Sequence, residues 1–518
     1  MSLLDCNVGL GRLRDGHRGF ETADQLLAEM GRLGIDEALA YHVHAAEADV
    51  RYGNRLLSDA VRDHPKLHAC WVMAPAALGD LPAPSEWVAE AVAARVRAVR
   101  LVPRHSLYTI ASWCVGPLFD ALEKAKLPVF LDFGAHHWSE QTIPWAAVKE
   151  VCERHPQLGV VIVGATVGET RDVVSLLRLF PNLHLECHAF NLPDGLGLLA
   201  EERLSSKLLF GTGMPWRAGE CVVEQTLRSG LRPADIEGVS GENARRLLGL
   251  DALAPASAPK PAVRTAGLVL DAHAHVGAWE RTCTVVRTPE QVVRSMHRCG
   301  VHKMVVSSFS ALHGETRAGN QETFDAVRRF PDHLYGYVVV NPHFTKDTGA
   351  ELEQCFAQTA NFVGIKLHCG LHQAQLQDAG YEAALAFADE HELPVLVHGG
   401  GKDDWAGAAQ RYPGARFIMA HACAWDGADP AGRELYRQAR DIENLYVDVA
   451  GSAAHRGALA ALADLVGVKK VLFGSDFPMF DLAFELGRIT RSGLSPAEKV
   501  MICGGNALGI FKRIPHSE

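Results

Sequence analysis

Residues 269–277 read VLDAHAHVG, and residues 3–11 read LLDCNVGLG. Laid one on the other, they place Asp271 on Asp5 with an offset of 266 positions, and the same offset carries Lys366 onto Arg100 and His398 onto Asp132. Between these anchors Thr22 and Gln25 match Thr288 and Gln291, and NRLLSDAVRDHP (54–65) matches NQETFDAVRRFP (320–331). Further on, RHPQLGVVIVGA (154–165) lies on RYPGARFIMAHA (411–422), LLFGTGMP (208–215) on VLFGSDFP (471–478), and ENARRLLGL (242–250) on GNALGIFKR (505–513). Chance similarity does not hold one offset over so long a stretch. The chain is a tandem duplication.

The two copies meet at a Pro/Ala/Ser-rich stretch, 252–262, which continues neither helix nor strand and reads as an extended linker. The expected organisation is a first domain over 1–250, a linker over 251–266 and a second domain over 267–518. In the second copy short apolar runs (LVLDAH, KMVVSSF, LYGYVVV, VGIKLH, PVLVH, RFIMAH, LYVDVA, VLFGSD) alternate with helix-like segments such as PEQVVRSMHRCG and YEAALAFADEHE. Eight apolar strands with intervening helices predict an α/β chain of two (β/α)8 barrels of the TIM type. An open doubly wound sheet shares the alternation, but no GxGxxG follows the first strand.

Composition is consistent with that architecture. The 518 residues are 48% hydrophobic and 22% charged with a net charge of -10, enough apolar material for two large cores. Mild acidity argues against nucleic-acid binding, and no apolar run approaches a membrane span. The N-terminal sequence lacks the layout of a secretory leader. Twelve cysteines with no CxxC pair suit reduced thiols, so a cytoplasmic location is expected.

Catalytic groups of such barrels sit at the C-terminal ends of the strands. There the second copy carries His273 and His275 (strand one), Lys366 and His368 (strand four), His398 (strand five), His421 (strand six) and Asp476 (strand eight). Residues at i and i+2 of a strand share a side, so both imidazoles of HxH reach one ion. Taken singly, each has a bland reading: an HxH pair by coincidence, a core His398, Asp476 as a helix N-cap. Their shared placement on successive strand ends points to a metal site. Trp279, His343 and Trp425 follow strand ends and either line a ring-shaped substrate or pack loops onto the barrel.

The order DxHxH, GIKLH, VLVHGG, MAHA, FGSDFP and GNALGIF resembles the amidohydrolase superfamily, in particular its amidohydrolase-related branch. The resemblance implies that His273, His275, His398 and Asp476 bind a divalent ion, expected to be zinc with manganese as the alternative. It places His421 beside the metal water, to orient it or remove its proton. Zinc brings the pKa of a water it holds to about 7, and Asp476 then passes the proton to a leaving group. Lys366, carboxylated in some superfamily members, is read as a free ammonium for a substrate carboxylate, with His368 beside it. The expected activity is hydrolysis of a C–N or C–O bond in a small carbonyl compound such as an amide or lactone. Decarboxylation or another lyase reaction of a small aromatic or unsaturated acid is the alternative, and a non-enzymatic scaffold a third reading.

In the first copy the same positions read Asn7, Gly9, Arg100, Asp132, Gly164 and Gly213. One carboxylate, one amide and one guanidinium do not make a catalytic metal site, so this copy is expected to be a pseudoenzyme. Asp5 persists opposite Asp271, which marks that aspartate as structural. His136 and His137 follow strand five and read as an exposed loop pair. The expected role of 1–250 is a built-in partner in an intramolecular pseudo-dimer, with Arg171 as a donated cation and further homo-oligomerisation open. A rival is a ligand site of its own at Arg100 and Asp132.

Overall fold

The computed structural model describes residues 2–14, 19–134, 138–251, 266–344, 346–399, 402–451 and 454–516. The chain divides into two compact units, Met1–Ala262 and Val263–Glu518. The stretch 252–262 and the pair His136–His137 lie outside the described residues.

The first unit contains β1 (Leu4–Leu10), β2 (Glu37–His42), β3 (Leu67–Val72), β4 (Ala98–Leu101), β5 (Val129–Asp132), β6 (Val160–Val163), β7 (Leu183–Glu186) and β8 (Leu208–Leu209). They pair in sequential order, every pair parallel. The ring closes where the Cys6 N–H donates to the Phe210 carbonyl at 3.0 Å and the Gly9 N–H to Met214 at 2.7 Å. The second unit repeats this with β9 (Leu270–Val276), β10 (Lys303–Ser308), β11 (Leu334–Val339), β12 (Phe362–Leu367), β13 (Pro394–Val397), β14 (Arg416–Met419), β15 (Leu445–Asp448) and β16 (Val471–Leu472). Its closure uses the Ala272 N–H to Phe473 at 2.9 Å and the His275 N–H to Phe477 at 2.7 Å. Both units are (β/α)8 barrels. Among the described residues no helix is long and apolar enough to cross a membrane.

The matches between the copies are matched hydrogen bonds. Thr288 caps the helix Pro289–Cys299 in a capping box with Gln291, and Gly300 ends it at φ 73°. Thr22 caps the helix Ala23–Leu33 in the first unit, which Gly34 ends at φ 80°. Asn320 bonds both the N–H (2.9 Å) and the carbonyl (3.0 Å) of Val339, as Asn54 does for Val72 at 2.9 and 2.8 Å. Asn444 donates to three carbonyls, of Ala409, Tyr412 and Ala415, and Asn182 makes the equivalent set.

Strand parity sorts the second core into two layers. Leu270, Val305, Tyr337, Leu396, Ile418 and Leu472 fill the barrel interior, whereas Val306, Ile365, Val395, Val397, Phe417 and Val447 pack under the helices. The same alternation turns Lys366, His398 and Asp448 inward at the C-terminal end.

Candidate functional site

At that end of the second barrel His273, His421 and Asp476 each offer a ligand atom, all within 4.8 Å of one another. His275 Nε2 lies 2.9 Å and His273 Nε2 3.4 Å from Asp476 Oδ1. His421 Nε2 is 3.0 Å from His398 Nδ1. Lys366, with no exposed surface, donates its ammonium to His273 Nε2 at 2.8 Å. One continuous cluster thus contains His273, His275, Lys366, His398, His421 and Asp476. The triangle takes in His421, expected from sequence beside the metal water, while His275 lies 2.9 Å from Asp476 and His398 3.0 Å from His421.

The charge states suit a cation. Burial, and then the neighbouring Lys366 charge, lower the His273 pKa to about 4. Burial likewise holds His275 below, and His398 well below, the ordinary histidine value, with His421 adding to the effect at His398. Burial would raise Asp476, but the imidazoles of His421, His275 and His273 outweigh it and carry the carboxyl well below its usual range. Burial brings Lys366 down to about 8, against the pull of Asp476 and Asp448. Neutral rings at His273, His275 and His398 beside an ionised Asp476 are the protonation states a divalent ion requires, so the donor set fits one.

Local backbone explains how the groups get there. β9 slips register against β10 between Met304 and Val306, a bulge beside His273, and β1 slips at the same place against β2. Asp271 is fully buried; its Oδ1 accepts the N–H of His273 at 3.0 Å and of Ser475 at 3.1 Å, tying the HxH strand to the FGSD loop. Asp5 does the same for Asn7 and Thr212, each at 3.0 Å. Gly474 leaves room for the cluster, since a Cβ there would lie 2.9 Å from His273 Cβ.

Asp448, the last residue of β15, was not singled out in sequence. It is buried, and its Oδ2 lies 2.9 Å from His273 Nδ1. The one signal in the chain was an acid inside the otherwise apolar run LYVDVA.

The other sequence candidates separate. The His368 ring stacks on His398 at 4.0 Å, and its Nδ1 accepts the Leu371 N–H. Trp279 is half-buried, 4.9 Å from the His313 ring and 5.9 Å from Phe309, which stacks on His275 at 4.6 Å. Together they form an aromatic wall beside the cluster. Trp425 is buried and donates its Nε1 H to the Asp429 carbonyl, while His343 Nε2 meets the His372 carbonyl at 2.6 Å, so both pack loops. Arg171 lies in the first unit, exposed in the first turn of the helix Thr170–Leu179.

The mouth of the first barrel is occupied by its own side chains. Arg100 bonds Asp132 Oδ2 at 2.5 Å and Asn7 Oδ1 at 2.7 Å, with its guanidinium 4.0 Å over the Tyr41 ring. Asn7 Nδ2 donates to Glu186 at 3.0 Å, and Glu186 lies 2.6 Å from His188 Nδ1. A Cβ on Gly9, the counterpart of His275, would lie 3.0 Å from the Trp216 ring. One on Gly213, the counterpart of Asp476, would lie 2.6 Å from the His188 ring.

Comparisons with known proteins place these observations in a family. A family model described as Amidohydrolase matches residues 8–250 and again 270–513. No curated protein matches the chain. Among solved structures the chain is similar to a 5-carboxyvanillate decarboxylase from Sphingomonas paucimobilis (14% identity over 48% of this chain and 99% of that one, TM-score 0.37). It is similar also to a 4-oxalomesaconate hydratase from Rhodopseudomonas palustris (19% identity, 48% and 96% covered, TM-score 0.37). A dihydroxybenzoic acid decarboxylase from a Polaromonas species, solved with manganese, is 15% identical, with 48% and 97% covered and TM-score 0.39. With the family model matched twice and over most of its length, this chain belongs to the amidohydrolase family.

Proposed function

We propose that the second barrel holds one divalent ion, zinc first and manganese second, and hydrolyses a C–N or C–O bond in a small carbonyl compound. The observation that carries this is the convergence of His273, His421 and Asp476 within 4.8 Å, with His275 and His398 one hydrogen bond away. A divalent ion held there would supply Lewis-acid polarisation of a carbonyl and a water activated at neutral pH. The remaining work falls to the chain's own groups. Asp476, far below the usual carboxylate range, stays an anion and a poor resting base. With His273, His275, His398 and Asp476 as the groups that would hold the ion, His421 would be left to take the first proton, its Nε2 lying 3.0 Å from His398 Nδ1. Lys366 stabilises negative charge developing next to His273. Trp279, Phe309 and His313 exclude water on one side.

That aromatic wall favours one second reading, decarboxylation of a small aromatic or unsaturated acid, because it suits a flat conjugated substrate. The test is a screen of aromatic acids, lactones and amides against ion-loaded full-length chain, with product masses recorded. Gain of water is expected. Loss of carbon dioxide selects the second reading, and turnover that survives His273→Ala contradicts both.

For the first barrel we infer a degenerate copy retained as a covalently attached partner. What supports this is the filled mouth, in which Arg100 supplies a positive charge amid Asp132 and Asn7, alongside framework bonds shared with the second barrel.

A further inference from the structure

Asp448 is fully buried at the end of β15 and uses both carboxylate oxygens. Oδ1 accepts two backbone N–H groups, from His421 at 2.9 Å and from Ala450 at 3.0 Å. Oδ2 faces His273 Nδ1 at 2.9 Å, while the Lys366 ammonium faces the other ring nitrogen at 2.8 Å. An ionised carboxylate only accepts and an ammonium only donates. The His273 ring is therefore specified from both sides, with its proton on Nδ1 and its lone pair on Nε2, the atom nearer Asp476.

We propose that Asp448 is a positioning residue that fixes the His273 tautomer and, through the backbone of His421, sets the second histidine of the same triangle. This rests on the reading of His273 as a metal ligand. Strand pairing equates Tyr446 with His184, and so Asp448 with Glu186 in the first barrel. There the acid meets the Asn7 amide, whose donor is fixed by covalent structure. At the His273 position itself only the second barrel has a ring whose proton must be assigned; in the first barrel Glu186 meets a ring as well, but it is His188, two residues further along.

Asp448→Asn separates this role from packing. Two backbone donors keep the amide oxygen in the Oδ1 place, so the amide nitrogen turns to His273. Nδ1 must then accept, and the proton moves to Nε2, where Lys366 gives up its bond by turning away or by releasing a proton and accepting instead. In 15N-histidine NMR of the metal-free full-length chain, with the His273 signals assigned by their loss in His273→Asn, the wild type should show Nδ1–H and Asp448→Asn should show Nε2–H. Zinc affinity by chelator competition should fall about 10–100-fold in the variant. Retention of Nδ1–H together with wild-type affinity in Asp448→Asn overturns the proposal. So does an Nε2–H tautomer in the wild type, a readout that needs no variant to fold. If the tautomer flips but neither Asp448→Asn nor His273→Ala changes zinc affinity, the positioning role stands and the metal reading fails.

Discussion

His421 and Asp476 adopt left-handed backbone, at φ 65° and 59°, where a side chain costs about 1–3 kcal/mol. Their counterparts Gly164 and Gly213 keep that backbone at φ 87° and 68° without the side chains. Strain retained in one copy and relieved in the other suits a site that works in one barrel. The residue types and strand ends of this cluster were legible in sequence, because each polar residue closes an apolar run. Two things were not legible. Trp216 and His188 fill the first mouth from loops whose paths no local pattern specifies, and Asp448 acts through a contact 175 positions away. Burial also shapes stability. His273 titrates near pH 4 when folded and near the ordinary 6.5 when unfolded. As pH falls from 6.5 to about 4, the unfolded chain takes a proton that the folded chain refuses, and stability drops by up to about 3 kcal/mol. In chelated protein the stability difference between wild type and His273→Asn should shift against the wild type over that window. A difference independent of pH contradicts the buried neutral ring.

Among the elements, the irregular first strand of each barrel does most to shape the site. The register slips beside His273, and beyond the slip His273 and His275 share a side, their rings 5.4 Å apart at 70° and both facing Asp476 Oδ1. Sequence periodicity specified the strand but not the bulge, since a bulge is set by how the neighbouring strand pairs. Helix boundaries were more legible, because Thr288, Gln291 and Gly300 are capping chemistry written into the chain. The repeated asparagines are a further device at this scale. Asn444 holds three carbonyls around the helix Trp405–Arg411 and the start of β14. Asn444→Ala should cost about 1–3 kcal/mol in chemical denaturation, the range for orphaning buried polar groups. Zinc binding per folded molecule should remain unchanged. A parallel loss of zinc affinity would show that this framework bond reaches the site.

For the whole molecule, the two barrels share framework and differ in chemistry. Duplication, barrel architecture and the asymmetry of the site positions were all legible from aligned strand ends. The substrate was not, because the aromatic wall proposed to meet it is built by loop residues such as Trp279 and His313, whose packing follows no period. If the division of labour is as proposed, this chain carries one metal centre, in the second barrel, while Arg100 occupies the first. The decisive measurement is the metal content of the purified full-length chain, taken beside His273→Ala after dialysis against limiting zinc. One tightly held ion per wild-type chain and none in the variant is the expected result. Two ions per chain, or one ion retained by His273→Ala, would contradict it.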